Sequence, residues 1–372
     1  MTLSLARFLC ALAALVAWVT PLGAESWQVQ YLYDRSKSSL AISDLCFASA
    51  ERGVAVGTIE EGSRQRPVAL VTSDGGAHWQ IVPLKEEPLS LFFLNESTGW
   101  MVTEKGLWQT TEAGKSWTKM PRVPAQIFRV YFKDEQNGWA AGARKTVLET
   151  HDAGRQWTRV AAAAEQPGKP ETSAYGWIAF ATPQLGVITG WNRPLQQTFP
   201  PALPAWIDPQ AALRHREWPH LGLTLETHDG GKTWKSSSAS VLGLVTRIRF
   251  GPPGTGLGLV EYSDSFEYPS EVYRIDWPGG GNERVYRDQN FAVSDVSMTP
   301  DGTAYLSGIE VAGELRSVIP GRVMVLKSRD LSTWTAIEVD YRAVANRTIM
   351  AAASDRDIWL ATDNGMILKL AQ

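Results

Sequence analysis

The sequence predicts an all-β protein built from repeated four-stranded units closed into a ring, and three observations predict it. A short motif returns five times nearly in register, a Gly-rich strand signature returns seven times, and no apolar run at helical spacing exceeds about two turns. The 32 Gly and 21 Pro fit a chain of short strands and tight turns, and 16 Trp supply large apolar anchors.

The motif reads Thr72-Ser-Asp-Gly-Gly-Ala-His-Trp79, Thr110-Thr-Glu-Ala-Gly-Lys-Ser-Trp117, Thr150-His-Asp-Ala-Gly-Arg-Gln-Trp157 and Thr227-His-Asp-Gly-Gly-Lys-Thr-Trp234. A fifth copy, Ser328-Arg-Asp-Leu-Ser-Thr-Trp334, is shorter by one residue. Together they match the Asp-box, Ser/Thr-x-Asp-x-Gly-x-Thr-Trp. Its acidic positions are Asp74, Glu112, Asp152, Asp229 and Asp330, in the turn between third and fourth strands. There a carboxylate can accept backbone N–H groups while Gly permits positive φ. Trp79, Trp117, Trp157, Trp234 and Trp334 are then expected to pack between neighbouring units, so these ten residues read as structural, not catalytic.

The strand signature reads Gly53-Val-Ala-Val-Gly57, Gly99-Trp-Met-Val102, Gly138-Trp-Ala-Ala-Gly142, Gly186-Val-Ile-Thr-Gly190 and Gly256-Leu-Gly-Leu-Val260, with weaker echoes at Ala304-Tyr-Leu-Ser-Gly308 and Ile358-Trp-Leu-Ala361. Spacings of roughly 40 to 70 residues suit a four-stranded blade plus loops, which predicts a seven-bladed β-propeller. The seventh unit runs out after Met366-Ile-Leu-Lys-Leu370, one strand short. Ser26-Trp27-Gln-Val-Gln-Tyr31 alternates apolar with polar and is expected to close that blade beside the C-terminal strand, hiding the sheet edges. The expected organisation is one propeller over 25–372, with blades near 38–84, 88–121, 124–162, 172–240, 241–288, 290–340 and 343–372 plus 25–33.

Residues 1–24 read as a signal peptide: Arg7, the apolar run Phe8 to Val19 and small Ala24. The run is shorter than the roughly 20 residues a spanning helix needs, so no transmembrane segment is expected after cleavage and the protein reads as exported. Losing Arg7 moves the formal charge from −3 to −4, without the basic surplus of a nucleic-acid binder. Cys10 leaves with the leader, so Cys46 has no disulfide partner and reads as core.

Neither a metal nor a cofactor is expected. His78, His151 and His228 sit at variable Asp-box positions, and His215 and His220 fall in a Pro-interrupted loop without the i, i+4 spacing of metalloproteases. No phosphate loop, nucleophile elbow or dinucleotide fingerprint is present.

Binding is expected on one face. The turns joining second and third strands lie opposite the Asp-boxes, and the long insertions fall there: Glu60 to Pro67, Trp191 to Leu221, Glu261 to Glu271 and Glu310 to Gly321. Aromatic and Arg side chains dominate binding hot spots, so the candidates are Arg64, Arg66, Trp191, Arg193, Trp206, Arg214, Arg216, Trp218, Glu261 and Tyr262. The 191–221 insertion can equally serve as a plug over the channel.

Strands of the Gly-Trp-Ala-Ala-Gly type, Asp-boxes and the closing N-terminal strand span essentially the whole mature chain, and the sequence resembles the photosystem II stability and assembly factor family. Those are lumenal seven-bladed propellers. The resemblance implies a non-catalytic scaffold whose partner is a membrane protein complex or its assembly intermediates, located in a periplasm or thylakoid lumen. It also implies a basic binding patch, for which Arg144-Lys145 and Arg193, Arg214, Arg216 are candidates. Asp-boxes occur in glycoside hydrolases too, which need two inward carboxylates roughly 5 to 10 Å apart. Glu261 and Asp264 are the conceivable pair, Ser317-Val-Ile-Pro320 lacks the Arg of a sialidase start, and a Trp-rich insertion could alternatively stack on glycans.

Overall fold

A computed structural model describes residues 25–123, 126–193, 219–263, 266–311, 319 and 321–371. The described residues are nearly all β, with one short helix, Ala161–Glu165, and one 3₁₀ turn, Pro170–Thr172. Among the described residues, five four-stranded sheets and one eight-stranded sheet make up the architecture, and each four-stranded sheet follows chain order outward from its first strand. The eight-stranded sheet is two four-strand units joined where Ser26 and Trp27 pair in parallel with Glu338 and Val339. We number the units one to seven from the strand Ser39–Phe47.

Each unit begins with an inner strand: Ser39–Phe47, Pro88–Phe93, Ile127–Phe132, Ser173–Phe180, Leu244–Phe250, Phe291–Met298 and Thr348–Ala352. Each of these touches the inner strand before and after it, and the seventh touches the first, so the ring closes around a channel. Closure is completed by the N-terminal strand Ser26–Leu32, which pairs antiparallel with Met366–Ala371 as the sequence predicts. Trp27, 2 % exposed, anchors it in the core shared by units six and seven.

Two local features explain the strand signature. The inner strand ends in Phe47, Phe93, Phe132 or Phe180, and a Cβ on the facing Gly53, Gly99, Gly138 or Gly186 would fall within 2.4–2.6 Å of that ring. Second, the inner strands of the first six units each carry a β-bulge. It pushes a backbone carbonyl against the next strand, so a Cβ at Gly57, Gly142, Gly190 or Gly308 would lie 1.9–2.2 Å from a carbonyl oxygen.

Between units, the second residue of the strand signature packs on the next unit's terminal Phe in three cases. Trp100 stacks on Phe132 with centroids 3.7 Å apart, Trp139 lies 5.0 Å from Phe180, and Trp359 stacks on Phe47 at 3.5 Å. The Asp-box Trp adds a second wedge on the side of the preceding unit: Trp234 meets Trp139 edge-on, and Trp334 donates to the carbonyl of Val285.

Two expectations need correction. Glu60 to Pro67 is no insertion: Glu60, Glu61, Arg64 and Arg66 pair across a tight hairpin, simply lengthening two strands. His220 is not in a loop; it opens the strand His220–Thr227 and is buried, because the pairing of unit four begins one residue after Pro219.

Candidate functional site

The Asp-box turns carry the acidic side chains Asp74, Glu112, Asp152, Asp229 and Asp330. In four of the five, the leading Thr or Ser hydroxyl donates to the acidic side chain and accepts backbone amides, as Thr72 does toward Asp74 and from Gly76 N. Asp74, Asp152 and Asp229 accept the amide of the residue four positions on, and Asp330 accepts Ser332 N and Thr333 N. Glu112 departs from this: its longer side chain takes the Ser116 hydroxyl instead. Positive φ falls on Gly75 and Gly76, but also on Ala113, Ala153 and Leu331, at positions where Gly costs least.

Accepted hydrogen bonds, chiefly from His78 N and from the Thr233 hydroxyl, hold Asp74 and Asp229 down at about 2. Carboxylates depressed in the fold stabilise it above their unfolded values, near 4, and that contribution is lost as pH falls through the folded ones. Thermal melts should therefore decline between about pH 4 and pH 2, and Asp152→Asn should melt below the parent at pH 7. An unchanged melting temperature would contradict the structural reading.

The chemistry of the channel was not legible motif by motif. The residue following each bulge turns toward the next inner strand, giving the ring Asp44, Ser90, Arg129, Trp177, Arg247 and Asp295. Asp44 accepts Leu91 N, Ser90 donates to Phe128 O, the Trp177 indole donates to Ile248 O and Asp295 accepts Met350 N. Arg247 pairs with Asp295 at 3.4 Å, and Arg129 with Asp44 at 3.5 Å. Neighbouring inner strands are thus joined by side chains as well as by packing.

Trp177 is the focus. The guanidinium carbons of Arg129, Arg247 and Arg249 lie 4.0, 4.7 and 4.9 Å from the centre of its ring, a geometry that supports cation–π attraction. Burial pulls Arg129 down to about 10, still charged at neutral pH, and also lowers Arg247. Arg347 joins Glu261 at 2.9 Å across the ring. Four guanidiniums (129, 247, 249, 347) face three carboxylates (44, 295, 261), leaving one net positive charge, and Arg249 makes no ion pair among the described residues. A signal for this site exists: each ring residue stands nine positions before the first residue of its unit's strand signature, Gly53, Gly99, Gly138, Gly186, Gly256 or Ala304, so aligning the repeats would have exposed the charged column.

Six of the ten sequence-predicted binding residues lie among the described residues. Arg64 and Arg66 are exposed on the hairpin of unit one, with Arg66 3.5 Å from Glu61. Trp191 lies against Gly176, where a Cβ would sit 2.6 Å from its ring, and Arg193 is exposed with its amide bonded to Thr172 O. Tyr262 donates to Glu271 and stacks on Phe266. Arg144 pairs with Glu171, and Lys145 donates to the Gln166 carbonyl, so that basic pair secures a turn. Trp206, Arg214, Arg216, Trp218 and Asp264 lie outside the described residues, as do residues 1–24.

Glu271 is the most connected carboxylate. Burial would raise it, but hydroxyls of Tyr273 and Tyr262 and the charges of Arg284 and Arg287 outweigh that and hold it below its usual value. Cys46 is pushed up to about 11 by burial, which suits core and not nucleophilic chemistry. Among the described residues no group of three His, Cys, Asp or Glu could hold a metal ion, and no helix is long and apolar enough to cross a membrane.

A family model described as photosynthesis system II assembly factor YCF48 matches residues 82–176. The photosystem II assembly lipoprotein Ycf48 of Synechococcus sp. (strain CC9902) is 21 % identical over 310 residues, covering 80 % of this chain and 77 % of that protein. Among solved structures, YCF48 bound to D1 peptide is similar at TM-score 0.59 and 15 % identity, over 92 % of this chain and 99 % of that one. An ancestral GH74 enzyme is similar at TM-score 0.55 and 10 % identity, over 90 % of this chain but 45 % of its own, a likeness of fold alone. Repeats, ring closure and these likenesses agree on the fold: the chain is an Asp-box β-propeller, similar over residues 82–176 to the photosystem II assembly-factor model.

Proposed function

We infer that this chain is a non-catalytic binding protein, exported across a membrane, that holds a segment of a membrane protein while the complex containing it is assembled. The observation that carries the reading is the arginine cluster on Trp177. Two of its guanidiniums are neutralised by buried carboxylates, whereas Arg249 is partly buried and lacks one among the described residues. An acidic side chain or a chain-terminal carboxylate on the partner would complete it with a charge-assisted hydrogen bond. The relatives support this, since one is described as an assembly lipoprotein and another as bound to a D1 peptide.

Hydrolysis of glycosides fits the channel less well. Asp44 and Asp295 each accept two backbone amides and face an arginine, and Glu261 is held by Arg347. None is available as a proton-shuttling acid beside a second free carboxylate.

The test is in-cell crosslinking and affinity capture of the mature chain, followed by mass spectrometry, with Arg249→Ala in parallel. Enrichment of a membrane complex or its assembly intermediates, at least about tenfold reduced in the variant, with the melting temperature nearly unchanged, is the expected result. Equal capture by both proteins would remove Arg249 from the interface. Capture of no membrane protein, with hydrolysis of a glycan panel, would overturn the reading altogether.

A further inference from the structure

The seam between units four and five lacks both large fillers; the seam between units one and two also has a Val, Val54, but keeps the Asp-box residue Trp117. Where Trp100, Trp139 and Trp359 fill a seam, unit four has Val187, facing Phe250 of unit five. Unit five also lacks an Asp-box and with it the Asp-box Trp wedge; the turn after its third strand, Ser270–Asp276, opens instead with Trp277, which lies beside His228 and lines the space. With both wedges missing, the core there shrinks to Trp177, Ala179, Val187 and Ile248. A cavity of about 800 Å³ occupies the remaining space, in the size range of small-molecule sites.

Its walls are mostly apolar: Val187, Val241, Val245, Ile248, Phe250 and Ile275. Two donors on the wall have no partner among the described residues, the hydroxyl of Thr189, 6 % exposed, and the indole N–H of Trp277. An unpartnered buried hydroxyl is costly, and an acceptor in the cavity would relieve it. Glu226 also lines the space, which disfavours an anionic occupant. We propose that the seam between units four and five is a binding site for a neutral apolar molecule carrying a carbonyl-type acceptor, seated against Thr189 and Trp277. The cavity adjoins the arginine cluster through Trp177 but shares none of its lining residues with it, and the proposal does not rest on the assembly reading.

Nile red, neutral, apolar and bearing a carbonyl, is a suitable probe, titrated into the full chain and followed by fluorescence. The parent should take up one equivalent saturably. Val187→Trp restores the residue found in three other seams; it should abolish uptake while leaving the far-UV spectrum unchanged and raising the melting temperature. Thr189→Val removes the donor at nearly constant shape, so it should weaken uptake about fivefold while the free protein melts higher. Should Val187→Trp fail to fold, Leu242→Trp at the connection between the units serves the same purpose. No uptake by the parent, or undiminished uptake by a folded seam-filling variant, overturns the proposal. Uptake seen only after deletion of residues 196–216 would assign the seam to the chain itself and overturn it equally.

Discussion

Asp295→Ala is expected to destabilise the protein by about 3–5 kcal/mol, read as a lower urea midpoint at unchanged m-value. Asp295 is fully buried and holds three things at once: its own next amide on Val296, the amide of Met350 in unit seven, and Arg247 at 3.4 Å. Removing the carboxylate leaves Arg247, itself only 14 % exposed, among Arg129, Arg249 and Arg347 with its counter-ion gone. An uncompensated buried charge costs more than the pair contributed. The double variant Asp295→Ala with Arg247→Met should therefore recover part of the loss, since the two sites share one interaction. A loss below about 1 kcal/mol in the single variant would mean that channel water solvates Arg247 and that the pair is a surface-type contact.

Trp359→Ala is the second large effect, again about 3–5 kcal/mol. Trp359 is completely buried at the seam where the two ends of the chain meet. It stacks on Phe47 at 3.5 Å, donates to Gly75 O at 3.0 Å, and carries Lys369 over its ring at 4.7 Å. Truncation opens a cavity among rigid strands that can relax little, and it frees unit one from unit seven. Hydrogen exchange should accordingly quicken in Ser26–Leu32 and Met366–Ala371, the strands that close the ring, more than in Ile127–Phe132 across the molecule. Trp359→Phe should keep most of the stability, because a ring remains over Phe47. Uniform acceleration of exchange everywhere would show instead that the ring unfolds as one unit and that this seam is no weak point.

The repeats carried the fold because their chemistry is local. A Thr hydroxyl, a carboxylate and residues at positive φ define the Asp-box turn within eight positions, and Gly53 or Gly138 needs only the Phe of its own unit to explain it. Ring closure was equally readable, since Ser26–Leu32 alternates like an outer strand and a ring has one vacancy for it. The site resisted for the opposite reason. Arg129, Arg247 and Arg249 look like surface charges in single strands, and only the bulge turns each toward a neighbour dozens of residues away. Trp191, Glu261 and Tyr262 had the residue types of a binding face, yet they are engaged by Gly176, Arg347 and Glu271.

By itself, then, the sequence determined an all-β ring of Asp-box units closed by its own N-terminal strand, because strand period, turn chemistry and repeat length are encoded in short stretches. The tertiary structure alone decided which side chains meet across units: three arginines on Trp177, carboxylates spent on backbone amides, and an unfilled seam beside Val187. Those contacts depend on the register between sheets that share no local sequence, and register is settled only when the whole ring packs.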